Sequence, residues 1–221
     1  MTNQPIPPLL GSVDAVLWDF DGVIADTEPC QARAYEIVLA RHGVALPPGW
    51  FEGFVGTTER TIWSELVRRM DPAAGPLDVD SLMRERAEDY LACAGELDTS
   101  WFVTAVLALD TEHHIVSAGN HGAIATLLDR WGLRSRFATI RASDSPTTPF
   151  GQPKQERLQA TLVELDPGTC AVIEDSAAYL ELARGLGAVT VGVQHGLNGA
   201  HHGVDFVVDH RQPNLWMDGD R

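Results

Sequence analysis

Lysine is almost absent from this chain of 221 residues: Lys154 is the only one, and arginine supplies the rest of the 16 basic side chains. Against them stand 31 acidic residues, for a formal net charge of -15 and a pI near 4.7. A surface so short of positive charge repels nucleic acid and anionic membranes, so neither is an expected partner. It also repels phosphate esters over long range, and an anionic substrate would need a local positive site made by a metal and a lysine. Cysteine is scarce too. Cys30, Cys93 and Cys170 are far apart and odd in number, with no Cys-x-x-Cys spacing, and the expectation is reduced thiols in a cytoplasm. No apolar run reaches membrane-spanning length. Met1 to Ser12 carries prolines but no basic start and no long apolar core, which does not read as a signal peptide. Internal repeats and low-complexity tracts are missing as well.

What is present suits a globular protein with one sizeable core, or a core with a smaller insert: 44% of residues are hydrophobic and 21% charged. The chain is organised around the stretch from Ala15 to Glu28. The run Ala15-Val16-Leu17-Trp18 is long enough for a buried strand, and Gly22 breaks it. Asp19 and Asp21, two apart at the end of that strand, point the same way and emerge at its C-terminal edge. Open α/β sheets place their ligands at that edge. Two such carboxylates repel one another unless a cation or a shared proton lies between them.

Beyond Glu28 the pattern turns helical. Pro29 suits a first turn, and Ala34, Ile37, Val38 and Arg41 lead to a stop at His42-Gly43. Thr57 or Thr58 could cap a second helix with Ile62, Trp63, Leu66, Val67 and Met70 as its apolar set. A third helix runs from Val79 to Cys93. Strands and helices alternate again after Leu97. A helix from Ser100 to Leu109 precedes a strand at His114 to Ser117, and Ile124, Leu127, Leu128 and Trp131 mark the next helix. Phe137 to Arg141 is a short strand. Leu158, Leu162 and Leu165 mark a helix after Lys154, Cys170 to Ile173 is a buried strand, and Val189 to Val193 and Phe206 to Val208 are the last two. The alternation predicts an α/β fold, a Rossmann-like parallel sheet with helices on both faces, with an all-helical insert. The expected division is 1–28 with 99–221 for the sheet domain and 29–98 for the insert.

Four strand ends converge in this reading: Asp19 with Asp21, Ser117, the Lys154 region, and Glu174 with Asp175. Each has a plainer alternative. Asp21 could bond a turn N–H, Asp175 or Ser176 could cap the following helix, Ser117 could be a cap, and a lone lysine at a helix start is usually solvated. The histidines His195, His201, His202 and His210, set among glycines, read as a solvated loop. Their spacing fits no zinc pattern.

The run Asp19-Phe20-Asp21-Gly22-Val23-Ile24, followed by Asp26-Thr27-Glu28, resembles the first motif of the haloacid dehalogenase-like (HAD) hydrolases. The phosphatase and phosphomutase branch, typified by phosphoglycolate phosphatase and β-phosphoglucomutase, is the nearest in pattern. The other strand ends fall in the order of the family's remaining motifs, and the helical insert lies where the family has its small cap domain. The resemblance implies an enzyme: a Mg2+-dependent phosphomonoester hydrolase working through an aspartyl-phosphate on a small phosphorylated metabolite, such as a sugar phosphate or phosphoglycolate. It assigns Asp19 as nucleophile and Asp21 as general acid and base. It assigns Ser117, Ala118 and Lys154 to phosphate binding, and Asp19, Asp21 (through its carbonyl), Glu174 and Asp175 to the metal. Gln31, Arg33, Thr57 and Arg60 are candidate substrate contacts from the cap. The chain departs from the family at three places. Ala118 stands where Asn often follows the serine. Pro153-Lys154-Gln155-Glu156 replaces Lys-Pro-x-Pro. Tyr179 takes the place of a glycine after the last acidic pair. The mutases carry a cap histidine and a cap arginine where Gln31 and Glu59 stand here, which favours a phosphatase. A β-phosphoglucomutase-like enzyme and a non-catalytic binding protein are the alternatives. A monomer and a dimer are equally compatible with the sequence.

Overall fold

A computed structural model describes residues 6–54, 59–69, 78–145, 152–196 and 198–220. The chain divides into two compact units, Met1–Asp26 with Asp98–Arg221, and Thr27–Leu97.

The first unit is built on a seven-stranded sheet. Its strands are β1 (Ala15–Trp18), β2 (Glu112–Val116), β3 (Thr139–Arg141), β4 (Cys170–Glu174), β5 (Val189–Gln194), β6 (Phe206–Asp209) and β7 (Trp216–Asp218). They lie in the order β3-β2-β1-β4-β5-β6-β7, all parallel except β7, which runs antiparallel to β6. All four residues of β1 and all five of β4 are buried, as the unbroken apolar runs require of strands covered on both faces. One face packs Leu17, Val116 and Val172 against Leu158 and Leu162, with Tyr179 and Leu182 at the margin. On the other, the Trp18 ring stacks on Phe102 and meets Phe137 edge-on.

Register places the site. Trp18 lies opposite Ile115 of β2 on one side and Ile173 of β4 on the other, so Asp19, Ser117 and Glu174 leave the sheet side by side. The strand order reverses between β1 and β4, the switch point at which such sheets open a crevice.

Two expected segments are shorter in the structure. The helix expected over 100–109 is a single turn and a half, α4, at Val103–Leu107. Ser100 is otherwise engaged: its N–H donates to the Ile24 carbonyl at 2.7 Å and its hydroxyl to the Val23 carbonyl at 2.6 Å. These bonds tie the chain's return from the second unit to its departure. Phe137 precedes β3 as a buried side chain rather than a strand residue. β7 has no counterpart in the sequence reading.

The second unit holds α1 (Glu28–Arg41), α2 (Glu59–Arg69) and α3 (Val79–Ala94), with a short 3-10 turn at Trp50–Phe54. Tyr35, Val38, Leu39, Phe51, Ile62, Trp63, Leu66 and Leu82 form its own core. Thr57, Thr58 and Met70 lie outside the described residues. The expectation of reduced thiols is overturned here: Cys30 of α1 and Cys93 of α3 form a disulfide. Sixty-three residues separate them, so spacing carried no sign of the pair, and only the packing of the two helices brings their Cα atoms to 5.6 Å. Cys170 is free and buried.

Candidate active site

Asp19 follows the last residue of β1, and its N–H still donates to the Ile173 carbonyl at 2.9 Å, which extends the sheet pairing by one residue. One carboxylate oxygen accepts the Phe20 N–H at 2.7 Å, and the other faces the Lys154 Nζ at 2.7 Å. Lys154 begins the helix α6 (Lys154–Leu165) and also reaches Glu174 at 2.6 Å. Asp19, Lys154 and Glu174 are all nearly inaccessible to solvent. The second oxygen of Glu174 accepts the N–H groups of Asp175 and Ser176, at 3.2 and 3.1 Å, at the start of α7 (Ala177–Gly185).

Charge in this pocket is unbalanced. Ligand oxygens of Asp19, Glu174 and Asp175 lie within 4.8 Å of one another, three carboxylates facing a single ammonium. Burial pushes Asp19 up to about 8; Glu174 adds to the shift and Lys154 opposes it. Burial likewise pushes Glu174 up to about 7, against Lys154 and with Asp175. Burial alone would lower Lys154, but Asp19 and Glu174 together outweigh it and raise it above its ordinary range. Buried carboxylates in such excess must take up protons or hold a cation. An all-carboxylate donor set fits a hard divalent ion, and this cluster can bind one.

Asp21 lies in the turn after β1, where the Ile24 N–H donates to the Phe20 carbonyl at 2.9 Å. Gly22 sits at φ +71°, and a Cβ there would come within 2.8 Å of the Asp175 carboxylate, so the position demands glycine twice over. Ser117 is buried, and its hydroxyl accepts the Gly119 N–H at 3.0 Å. A Cβ on Gly119 would meet both the Asp21 carboxylate and the Ser117 hydroxyl at 3.3 Å. Ala118 is exposed beside them. Asn120 caps α5 (His121–Arg130) by accepting the Ala123 N–H at 3.0 Å. The structure thus brings Asp19, Lys154, Glu174 and Asp175 into one cluster, with Asp21 and Ser117 meeting at Gly119. The side chain of Asp21 is not among the three clustered carboxylates.

The candidate substrate contacts belong to the second unit. Gln31 accepts a hydrogen bond from Arg86, Arg33 is exposed, Arg60 is exposed and pairs with Asp80 at 2.7 Å, and Thr57 lies outside the described residues. Sequence reasoning passed over Arg86. It is buried, pairs with Glu59 at 3.3 Å and lies 4.2 Å from the Tyr35 ring centroid.

The histidine segment also needs correction. His202 is exposed, but His195 and His201 are buried, because β5 delivers the first to the site and Gly192 leaves room for the second. His195 Nε2 lies 2.9 Å from Asp175, and His210 Nε2 lies 2.8 Å from the Gly22 carbonyl. Applying the strand-end rule to β5, as to β1 and β4, would have pointed to His195. Arg157, one turn along α6, donates to the Ser117 carbonyl at 2.7 Å and was likewise missed.

A family model described as haloacid dehalogenase-like hydrolase matches residues 13–187, most of the chain, with Asp19, Asp21, Ser117, Lys154, Glu174 and Asp175 all inside the match. The chain belongs to the haloacid dehalogenase-like hydrolases. It is therefore an enzyme of that class, and several curated relatives that it matches are named as phosphatases. Fructose-1-phosphate phosphatase YqaB of Escherichia coli is 27% identical over 184 residues, covering 81% of this chain and 95% of that protein. Phosphoglycolate phosphatase of Neisseria meningitidis is 26% identical over 192 residues, covering 83% and 81%. Among solved structures, CbbY from Rhodobacter sphaeroides in complex with phosphate superposes with a TM-score of 0.74 at 21% identity, covering 89% of this chain and 93% of that one. That last likeness is one of fold. No described helix is long and apolar enough to cross a membrane.

Proposed function

We propose that the chain is a magnesium-dependent phosphatase that hydrolyses a small phosphorylated metabolite, of the sugar phosphate or phosphoglycolate type, through an aspartyl-phosphate on Asp19. The observation that carries the reading is the only lysine of the chain, buried and seated 2.7 Å from the Asp19 carboxylate. An acidic protein that admits a phosphate needs positive charge at one point, and this is where it keeps it.

In this mechanism Asp19 attacks phosphorus in line with the departing alkoxide, and the bond to the alcohol oxygen breaks. Asp21 gives its proton to that oxygen. It then takes one from the water that attacks the aspartyl-phosphate, releasing inorganic phosphate and free Asp19. The Ser117 hydroxyl and the Ala118 N–H hold the phosphoryl oxygens. Lys154 neutralises the nucleophile and the phosphoryl group together, as a compact point charge. Asp19, Glu174, Asp175 and the Asp21 carbonyl would hold magnesium, which supplies charge stabilisation at the transferring group. The helical unit is read as a substrate-selecting cap over 29–98 beside a core of 1–28 and 99–221. The enzyme is read as cytoplasmic, although a disulfide such as Cys30–Cys93 is unusual there.

The test is a screen over phosphorylated metabolites with magnesium, run beside Asp19→Asn. Turnover of a few sugar phosphates or phosphoglycolate, absent in the variant, supports the reading. Turnover that survives in Asp19→Asn overturns it.

A further inference from the structure

Two of the three departures from the family pattern meet in space. Lys154 comes from a segment in which the usual order of lysine and proline is altered, and Tyr179 stands where a glycine is common. In the structure the Lys154 Nζ lies 4.5 Å from the centroid of the Tyr179 ring. An ammonium within about 6 Å of an aromatic centroid is attracted by the ring's negative face, and most strongly when both are desolvated. Lys154 is desolvated, at 6% exposure. Tyr179 is half-buried in the first turn of α7 and packs against the core that contains Leu158 and Leu162 of α6.

The geometry points to Tyr179 as a positioning residue for Lys154: its ring forms the third side of a seat whose other two sides are Asp19 and Glu174. This inference rests on the role given to Lys154 above. A four-carbon side chain that starts at the first residue of a helix has several rotamers open to it. Asp19 at 2.7 Å and Glu174 at 2.6 Å attract it, but both also lie in the cluster of carboxylates suited to a cation. A ring that cannot bind that cation in place of the ammonium holds the lysine independently. A glycine at 179 would leave this side open, so the altered lysine segment and the tyrosine belong to one arrangement.

Three variants test it: Tyr179→Phe, Tyr179→Leu and Lys154→Met, with Tyr179→Leu also made in the Lys154→Met background. Two readouts serve: kcat/KM for p-nitrophenyl phosphate with magnesium, and calorimetric affinity for inorganic phosphate. Tyr179→Leu keeps apolar packing but loses the ring face, and about a tenfold loss is expected in both readouts. Tyr179→Phe should stay within about twofold. In the Lys154→Met background Tyr179→Leu should add nothing to the loss of phosphate affinity. A loss of the same size there would assign Tyr179 to packing alone and overturn the inference, as would a Tyr179→Leu enzyme equal to wild type. A Tyr179→Phe enzyme as poor as Tyr179→Leu would place the effect in the hydroxyl and overturn it too. If Lys154→Met itself keeps full turnover and phosphate affinity, the role of Lys154 fails and the inference with it. That outcome is distinct from the case in which only Tyr179 proves silent. Should Tyr179→Leu fold poorly, phenylalanines of increasing ring fluorination at 179 preserve the shape while weakening the negative face. Phosphate affinity should fall with each fluorine, and a flat series overturns the inference.

Discussion

Removing the buried ammonium should cost the fold more than it costs any surface lysine. Lys154→Met keeps most of the side chain's volume but leaves Asp19 and Glu174 facing one another in a site sealed from water. Deleting one partner of a buried ion pair destabilises by about 3–5 kcal/mol. Here the lower end applies, because both carboxyls already stand well above their ordinary range, at about 8 and about 7, and can take up a proton. At about 2–4 °C per kcal/mol for a chain of this size, the variant should melt roughly 6–12 °C below wild type. The assay is a thermal melt followed by circular dichroism in chelator at neutral pH. A second variant checks the cause. Lys154→Met with Glu174→Gln removes one of the two carboxyls left without the lysine and should recover part of the loss, whereas two independent deletions would add. A Lys154→Met protein melting within about 2 °C of wild type, or a double variant worse than the sum of its parts, would refute the account of the pocket.

Gly22→Ala should lower turnover by about a hundredfold in steady-state assays. The Cβ lands 2.8 Å from the Asp175 carboxylate and moves it, and the φ of +71° adds strain; turnover equal to wild type would mean that the turn relaxes. His113 is held down to about 4 by burial, with Arg136 and His114 contributing, and its Nδ1 accepts the Trp18 indole N–H at 3.2 Å. A depressed histidine is neutral in the fold and charged in the unfolded chain, so its contribution is complete above pH 6.5 and is lost as pH falls toward 4. Urea melts at pH 7 and 5 should show that decline in wild type and less of it in His113→Gln. Closing a loop across 63 residues, the Cys30–Cys93 bond should stabilise the helical unit by about 4 kcal/mol. The unreduced, denatured protein should then titrate as one free thiol, and three would refute the bond.

The sheet was legible because β1 and β4, at its centre, are unbroken apolar runs that end in acid. Ala15 to Trp18 and Cys170 to Ile173 admit few other readings. β7 was not legible. Its three residues, Trp216 to Asp218, hold no pattern of their own and become a strand only by pairing with β6. His195 went unread as a site neighbour because Gly196, Asn198 and Gly199 make the segment look like open loop. The feature that decides its burial is that β5 ends at the same edge as β1. Lys154 could be named from the sequence, being the only lysine, but its seat could not, since Tyr179 lies twenty-five residues away on another helix. The disulfide is of the same kind: two helices must first pack before the cysteines have any relation.

The middle of this sheet is made early and finished late. β1 leaves the ribosome first of the seven strands, yet its two neighbours are β2 and β4, and Ala15 cannot pair with Cys170 until 155 further residues exist. At roughly 5–20 residues per second, the strand that carries Asp19 waits on the order of ten to thirty seconds with one or both edges open. During that interval Thr27–Leu97 can close around its own core, a finished helical body hung from an unfinished sheet. An apolar strand with open edges is the form most prone to pair with another chain. The waiting strand is the one on which the chemistry depends, so whatever shields Ala15 to Trp18 during synthesis protects the yield of active enzyme.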